Sequence, residues 1–147
     1  MHSFKETRVI SYEASLINEI IIDIEKYPEF LPWCKKARII EKNNDFLTAE
    51  LFVKFKGFTE SYVSKVITSS ENDNYYIEVV AISGPFELLK NIWSIKQLDN
   101  GAKVDFYIDF AFKSRILDLV MGMVFSVATE KMIGAFEDRV DKLSKIV

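Results

Sequence analysis

Two hydrophobic periods stand back to back near the end of this chain, and they narrow its possible folds more than any other feature. Val104, Phe106, Ile108, Phe110 and Phe112 alternate with Lys103, Asp105, Tyr107, Asp109 and Ala111. A period of two over that length is a strand with five bulky side chains on one face. Directly after it, Leu117, Val120, Met121, Val124, Ala128, Met132, Ala135, Phe136, Val140 and Leu143 recur at helical spacing. Ser114 can cap that helix. Asp118 in its first turn and Lys142 and Lys145 near its end suit the helix dipole. About 30 residues of helix measure roughly 45 Å, enough to cross a small domain. The apolar face of the sheet needs a cover, and the helix that follows carries the matching stripe.

The rest of the chain builds the sheet. Phe4 to Tyr12 reads as a strand. Ser15 can cap a helix in which Ile17, Ile20, Ile21 and Ile24 form one stripe. Pro28 disfavours helix at Tyr27, so that helix is expected to stop there, followed by a short turn-rich piece. From Ala37 to Phe112 the period is two. Strands are expected over Leu47–Phe55, Thr59–Thr68, Tyr75–Ile82 and Phe86–Leu98. Turn signals separate them at 43–45, at Gly57, at 70–74, at 83–85 and at 99–101. Hairpin connections imply an antiparallel sheet. The expected fold is α+β: a helix-grip, with a curved antiparallel sheet of six or seven strands around a long C-terminal helix. Two short helices follow the first strand, and one domain covers residues 1–147.

Composition limits the function. A net charge of −3 argues against a general electrostatic grip on nucleic acid, and DNA is not an expected partner. The single cysteine rules out an internal disulfide and fits a reducing compartment. The N-terminus lacks the pattern of a secretory signal, and the apolar run from Ile116 to Ala128 is too short to span a bilayer. The expected location is the cytoplasm, at most peripheral to the inner membrane. Twelve phenylalanines and only five glycines suit a large apolar interior, or an apolar cavity with wide walls.

Tyr27–Lys36, reading YPEFLPWCKK, gathers two of the three prolines, one of the two tryptophans and the only cysteine. Cys34 as a nucleophile would need a base and an orienting group. The only histidine, His2, stands at a terminus expected to fray. One His and one Cys cannot complete a zinc site. The carboxylates are scattered; Asp105 and Asp109 share the strand face opposite the apolar one, a solvated outer surface. No glycine loop for phosphate occurs. The segment therefore reads as a packing anchor, with Pro28 and Pro32 stiffening it.

YPEFLPWC at Tyr27–Cys34 resembles the YPxFLPxC signature of the coenzyme Q-binding START-like proteins, within the polyketide cyclase and lipid transport superfamily. Ser64-Lys65-Val66, Ser83-Gly84-Pro85-Phe86, Trp93 and the strand from Val104 to Phe110 resemble further elements of that family in the same order. The resemblance covers essentially the whole chain. It implies a START/Bet v 1-like helix-grip that binds ubiquinone or a similar prenyl lipid as a ligand, without enzymatic activity, in support of respiration. A bacterial branch implies a second role, a ribosome-association toxin that binds the large ribosomal subunit. An aromatase or cyclase is a third reading, and it lacks a clear acid or base in the cavity.

The expected cavity lies between sheet and C-terminal helix. Its walls are assigned to Phe55, Leu89, Trp93, Phe106 and Phe110 from the sheet and to Val120 and Val124 from the helix. Tyr27, Phe30, Leu31 and Trp33 are assigned to one edge. Tyr62, Lys65 and Asn91 are candidates to meet a polar group such as a quinone carbonyl. Tyr62 and Lys65 fall on opposite faces of one strand, so at most one of them points inward. Plain core packing or solvent exposure would account for the same residues. Ile116, Leu119, Met123 and Val127 make the first half of the last helix apolar on a second side. That segment either is buried, gates the cavity, or meets a membrane surface or another protein. Lys35, Lys36, Arg38, Lys42, Lys54 and Lys56 form a basic cluster that suits lipid headgroups, ribosomal RNA, or simply a solvated strand surface.

Overall fold

The computed structural model describes residues 1–55 and 57–144. Lys56 and Lys145 lie outside the described residues. The order is β1 (His2–Ile10), α1 (Ala14–Ile22), a 3-10 helix (Ile24–Glu29), β2 (Cys34–Lys42), β3 (Leu47–Phe55), β4 (Phe58–Glu71), β5 (Asn74–Ser83), β6 (Phe86–Leu98), β7 (Gly101–Phe112) and α2 (Arg115–Ser144). The seven strands form an antiparallel sheet in the order β1-β7-β6-β5-β4-β3-β2. Strands β2 to β7 are thus consecutive hairpins, and β1 pairs with β7 at the far edge. The curved sheet, the long helix and the two short early helices are those expected from the periodicity.

Local chemistry explains the turns. Asn43 Oδ1 accepts from the backbone N–H of Asp45 at 2.8 Å and of Phe46 at 3.0 Å, closing the β2–β3 hairpin. The turn expected over 70–74 shrinks to Asn72 and Asp73, with φ of 52° and 63°. Two left-handed residues in succession match the twist of the flanking strands, so β4 continues to Glu71 and β5 starts at Asn74.

The first helix departs from expectation at both ends. Ser15 does not cap it: the helix begins at Ala14, preceded by Glu13 with no side-chain cap. The Ala14 N–H instead donates to Gln97 Oε1 of β6 at 2.8 Å, a tertiary cap no local pattern announces. The helix ends at Ile22 rather than at Tyr27, and the chain tightens into the 3-10 turn that holds Pro28. Ile17, Ile20, Ile21 and Ile24 are all buried, as their spacing requires.

In α2, Ser114 Oγ accepts from Leu117 N–H at 3.2 Å and caps the helix. Its buried residues, Thr129, Ile133, Phe136 and Val140, all lie from the middle of the helix onward. The first half rests on the sheet through half-buried side chains and is tied down by the N-terminus. His2, expected at a frayed end, is instead the first residue of β1, opposite Phe110. Its ring packs over Gly122, where a Cβ would sit 2.3 Å from His2 Cε1, so only glycine admits this contact. On the outer face, Asp105 accepts from Thr7 Oγ1 and Asp109 from Ser3 Oγ, each at 2.5 Å, holding β1 to β7.

Candidate functional site

Between the concave face of the sheet and α2 runs a cavity in two lobes. Trp33, Val53, Tyr62, Leu89, Ile108 and Met132 border both, so the lobes adjoin. The outer lobe, about 140 Å³, adds Phe55, Phe58, Phe86, Phe110 and Phe112 from the sheet and Met121, Phe125, Ala128 and Thr129 from α2. The deep lobe, about 110 Å³, adds Tyr27, Leu31 and Cys34, then Ser64, Asn91 and Trp93, with Phe136 as its floor on α2. The outer lobe is almost wholly apolar, and the deep lobe carries most of the polar groups.

The sequence makes the deep space by small side chains in register. Ala49 pairs with Ser64, and Ser64 with Ala81, so three adjacent strands present little volume at one level. A β-bulge beside Ser64 shifts β5 by one residue and re-aims the row. Gly84 (φ 121°) allows the next close approach: a Cβ there would lie 2.6 Å from Tyr62 Cβ. Phe86 stacks edge-on against Tyr62 at 5.1 Å and completes that wall.

The YPEF segment clamps one end. Tyr27, Phe30 and Phe136 form a three-ring cluster with centroids 5.1–5.8 Å apart. The Tyr27 hydroxyl donates to the Ile21 carbonyl. Arg139 stacks 5.1 Å over Phe30 and pairs with Glu29 at 2.8 Å. The Trp33 carbonyl accepts from Lys54 N–H at 2.9 Å, tying the segment to β3.

Burial keeps the polar groups neutral. It is the largest cause of the upward shift of the Tyr27 and Tyr62 phenols. It also pushes the Cys34 thiol up to about 11, against a weak contact of Sγ with the Lys36 carbonyl at 3.7 Å. A thiol so placed is a poor nucleophile. Asn91 Nδ2 donates to the Tyr107 carbonyl at 3.0 Å. Ser64 is 1% exposed, and among the described residues its hydroxyl has no hydrogen-bond partner. Among the described residues no group of three or more His, Cys, Asp or Glu is placed to hold a metal.

The structure brings together Tyr27, Leu31, Trp33, Phe55, Tyr62, Leu89, Asn91, Trp93 and Phe110 as cavity walls. Five assignments are corrected. Lys65 points to the outer face, its ammonium 4.5 Å over the Phe46 ring, because Tyr62 takes the inward side. Phe30 supports the clamp from outside the lobes. Phe106 lies beneath Trp93, at 4.7 Å between rings, in solid core. Val120 is 53% exposed, and Val124 is half-buried but borders neither lobe. The helix is apolar around most of its girth in that half, so its spacing left the inward azimuth open. Met121 and Phe125 take the positions assigned to Val120 and Val124. Ser64 and Thr129 were not singled out as wall residues; only contacts across the sheet and helix mark them. The basic cluster is weaker than its composition implies, since Arg38 pairs with Glu50 at 2.7 Å and Lys36 lies over Phe52.

A curved antiparallel sheet closed by a long helix over an apolar cavity defines a helix-grip protein. The chain belongs to the polyketide cyclase / dehydrase and lipid transport family, whose model matches residues 10–137. It is 44% identical over 146 residues to the ribosome association toxin RatA of Rickettsia prowazekii, covering 99% of this chain and 100% of that protein. It is 34% identical over 142 residues to the mitochondrial coenzyme Q-binding protein of Dictyostelium discoideum, covering 93% of this chain and 68% of that one. A START superfamily protein from Mycobacterium smegmatis superposes with a TM-score of 0.83 at 22% identity, over 97% and 99% of the two chains; at that identity the likeness is one of fold.

Proposed function

We propose that this protein binds and chaperones a hydrophobic lipid, most specifically ubiquinone or a similar prenyl lipid, without catalysing a reaction on it. The observation that carries this reading is the two-lobed cavity, apolar toward α2 and more polar at its deep end. Burying apolar ligand surface contributes about 25 cal/mol per Å². The head of the ligand fits the deep lobe and the chain fits the outer one. The relative named as a coenzyme Q-binding protein supports the choice of ligand. Ile116 and Met123, each 79% exposed, and Leu119, 69% exposed, stand on α2 beside Met121 and Phe125 of the outer lobe. They support transient contact of a cytoplasmic protein with the lipid surface where the ligand is exchanged. Organic extraction of the purified protein followed by mass spectrometry should recover a prenyl lipid. Failure to recover one, together with no binding of added ubiquinone, would refute the reading.

A second reading is association with the large ribosomal subunit. It is supported by the 44% identity to a ribosome association toxin and by the exposed Lys35, Lys42 and Lys54. Cosedimentation with isolated large subunits across a salt series tests it, because phosphate contacts weaken steeply with salt. Absence from the subunit fraction at low salt excludes it.

A further inference from the structure

We propose that Ser64 is the polar anchor of the deep lobe, its hydroxyl hydrogen-bonding the oxygen at the head of an otherwise apolar ligand. The inference rests on the ligand-binding reading and deepens it by assigning orientation and head chemistry. Ser64 is 1% exposed, lines the deep lobe and has no hydrogen-bond partner among the described residues. A hydroxyl taken out of water without a partner is destabilising, and native folds keep few such groups. Among the described residues no backbone group meets this one. The bulge at Val63/Ser64 interrupts the β4–β5 register beside it, and the small Ala49 and Ala81 opposite leave open volume rather than a partner.

The surroundings define what can fill that volume. Asn91 gives one Nδ2 N–H to the Tyr107 carbonyl. Tyr62 is a neutral phenol at the junction of the two lobes. Among the described residues the deep lobe presents no charged side chain. It therefore suits a neutral oxygen, a carbonyl or hydroxyl, and excludes a phosphate or carboxylate head. The chain of the ligand then passes Trp33 and Leu89 into the outer lobe and ends against Met121 and Phe125 of α2.

The test compares two probes with the same ten-carbon chain, decylubiquinone and decylbenzene, by calorimetric titration of the full chain and of Ser64→Ala. Wild type should bind decylubiquinone the more tightly. Ser64→Ala should lose about threefold to tenfold for decylubiquinone, the ordinary weight of one hydrogen bond, and nothing for decylbenzene. Its thermal midpoint without ligand should hold or rise, since an unpaired buried hydroxyl is removed. Ser69→Ala on the exposed end of β4 should change neither affinity. Equal loss for both probes, or no loss for either, overturns the role of Ser64 and leaves lipid binding standing. Wild type that binds neither probe overturns the ligand reading, and this inference with it.

Discussion

His2 Nε2 lies 3.1 Å from the main-chain carbonyl oxygen of Asp118 and 3.1 Å from one of its carboxylate oxygens. The other carboxylate oxygen accepts from the Phe112 N–H at 2.9 Å. One aspartate thus joins the first strand, the end of the last strand and the first turn of α2. It holds the stretch 115–128, which contributes no buried side chain to the core.

Asp118→Asn should loosen that half selectively. Hydrogen exchange over residues 115–128 should quicken several-fold, while the segment carrying Ile133, Phe136 and Val140 stays protected. The same latch should weaken in acid. The Phe112 N–H, and then His2, hold the Asp118 carboxyl below its usual range. A depressed carboxyl contributes stability above the unfolded value of about 4 and loses it as pH falls through the folded value. Exchange in 115–128 should therefore accelerate below about pH 4, before global unfolding. Uniform acceleration along α2 would contradict the latch.

Phe136 touches Tyr27, Phe30 and Trp93, with centroids 5.1–5.3 Å away, and is 5% exposed. Phe136→Ala should cost about 3–5 kcal/mol in denaturant unfolding, the usual range for an aromatic removed from a packed core. A loss below about 1 kcal/mol would mean that the three-ring clamp does not carry the YPEF segment.

Gly84→Ala places a methyl 2.6 Å from Tyr62 Cβ and 3.0 Å from the Ser61 carbonyl, on backbone with φ of 121°. Strain at such a position costs about 1–3 kcal/mol. The ring of Tyr62 should shift with it, so both thermal stability and ligand affinity should fall. Undiminished stability would refute the close approach.

Ala128→Phe should fill the outer lobe, which Ala128 borders on α2. Binding of a long-chain probe should drop at least tenfold, with the circular dichroism of the fold retained. Unchanged affinity would move the ligand out of this cavity.

Cys34 should resist alkylation. With its thiol pushed to about 11 and the residue 3% exposed, iodoacetamide at pH 7.5 should label the folded protein far more slowly than the denatured one. Rapid labelling of the folded chain would restore Cys34 as a reactive group.

Much of the fold was legible from side-chain period. The alternation over Val104–Phe112 and the stripe after Ser114 require a sheet covered by a helix, because each apolar face must find another. Turn residues such as Asn43 mark their hairpins because the chemistry is local. The start of α1 was not legible, since Gln97, 83 positions from Ala14, supplies the cap.

The site divides in the same way. Sequence alone determined that the strands from β2 to β7 meet as consecutive hairpins and that Tyr62 and Lys65 face apart, and it reads Tyr27–Cys34 as an anchor. Those follow from a fixed period of two and from the absence of partner residue types. Tertiary structure decided which of Tyr62 and Lys65 turns inward, and that Met121 and Phe125 face the cavity in place of Val120 and Val124. A helix apolar on two sides takes its azimuth from the surface it meets. Tertiary structure also left Ser64 buried without a partner, because hydrogen-bond satisfaction depends on what three strands bring to one level of the sheet, and no pattern along a single strand records that.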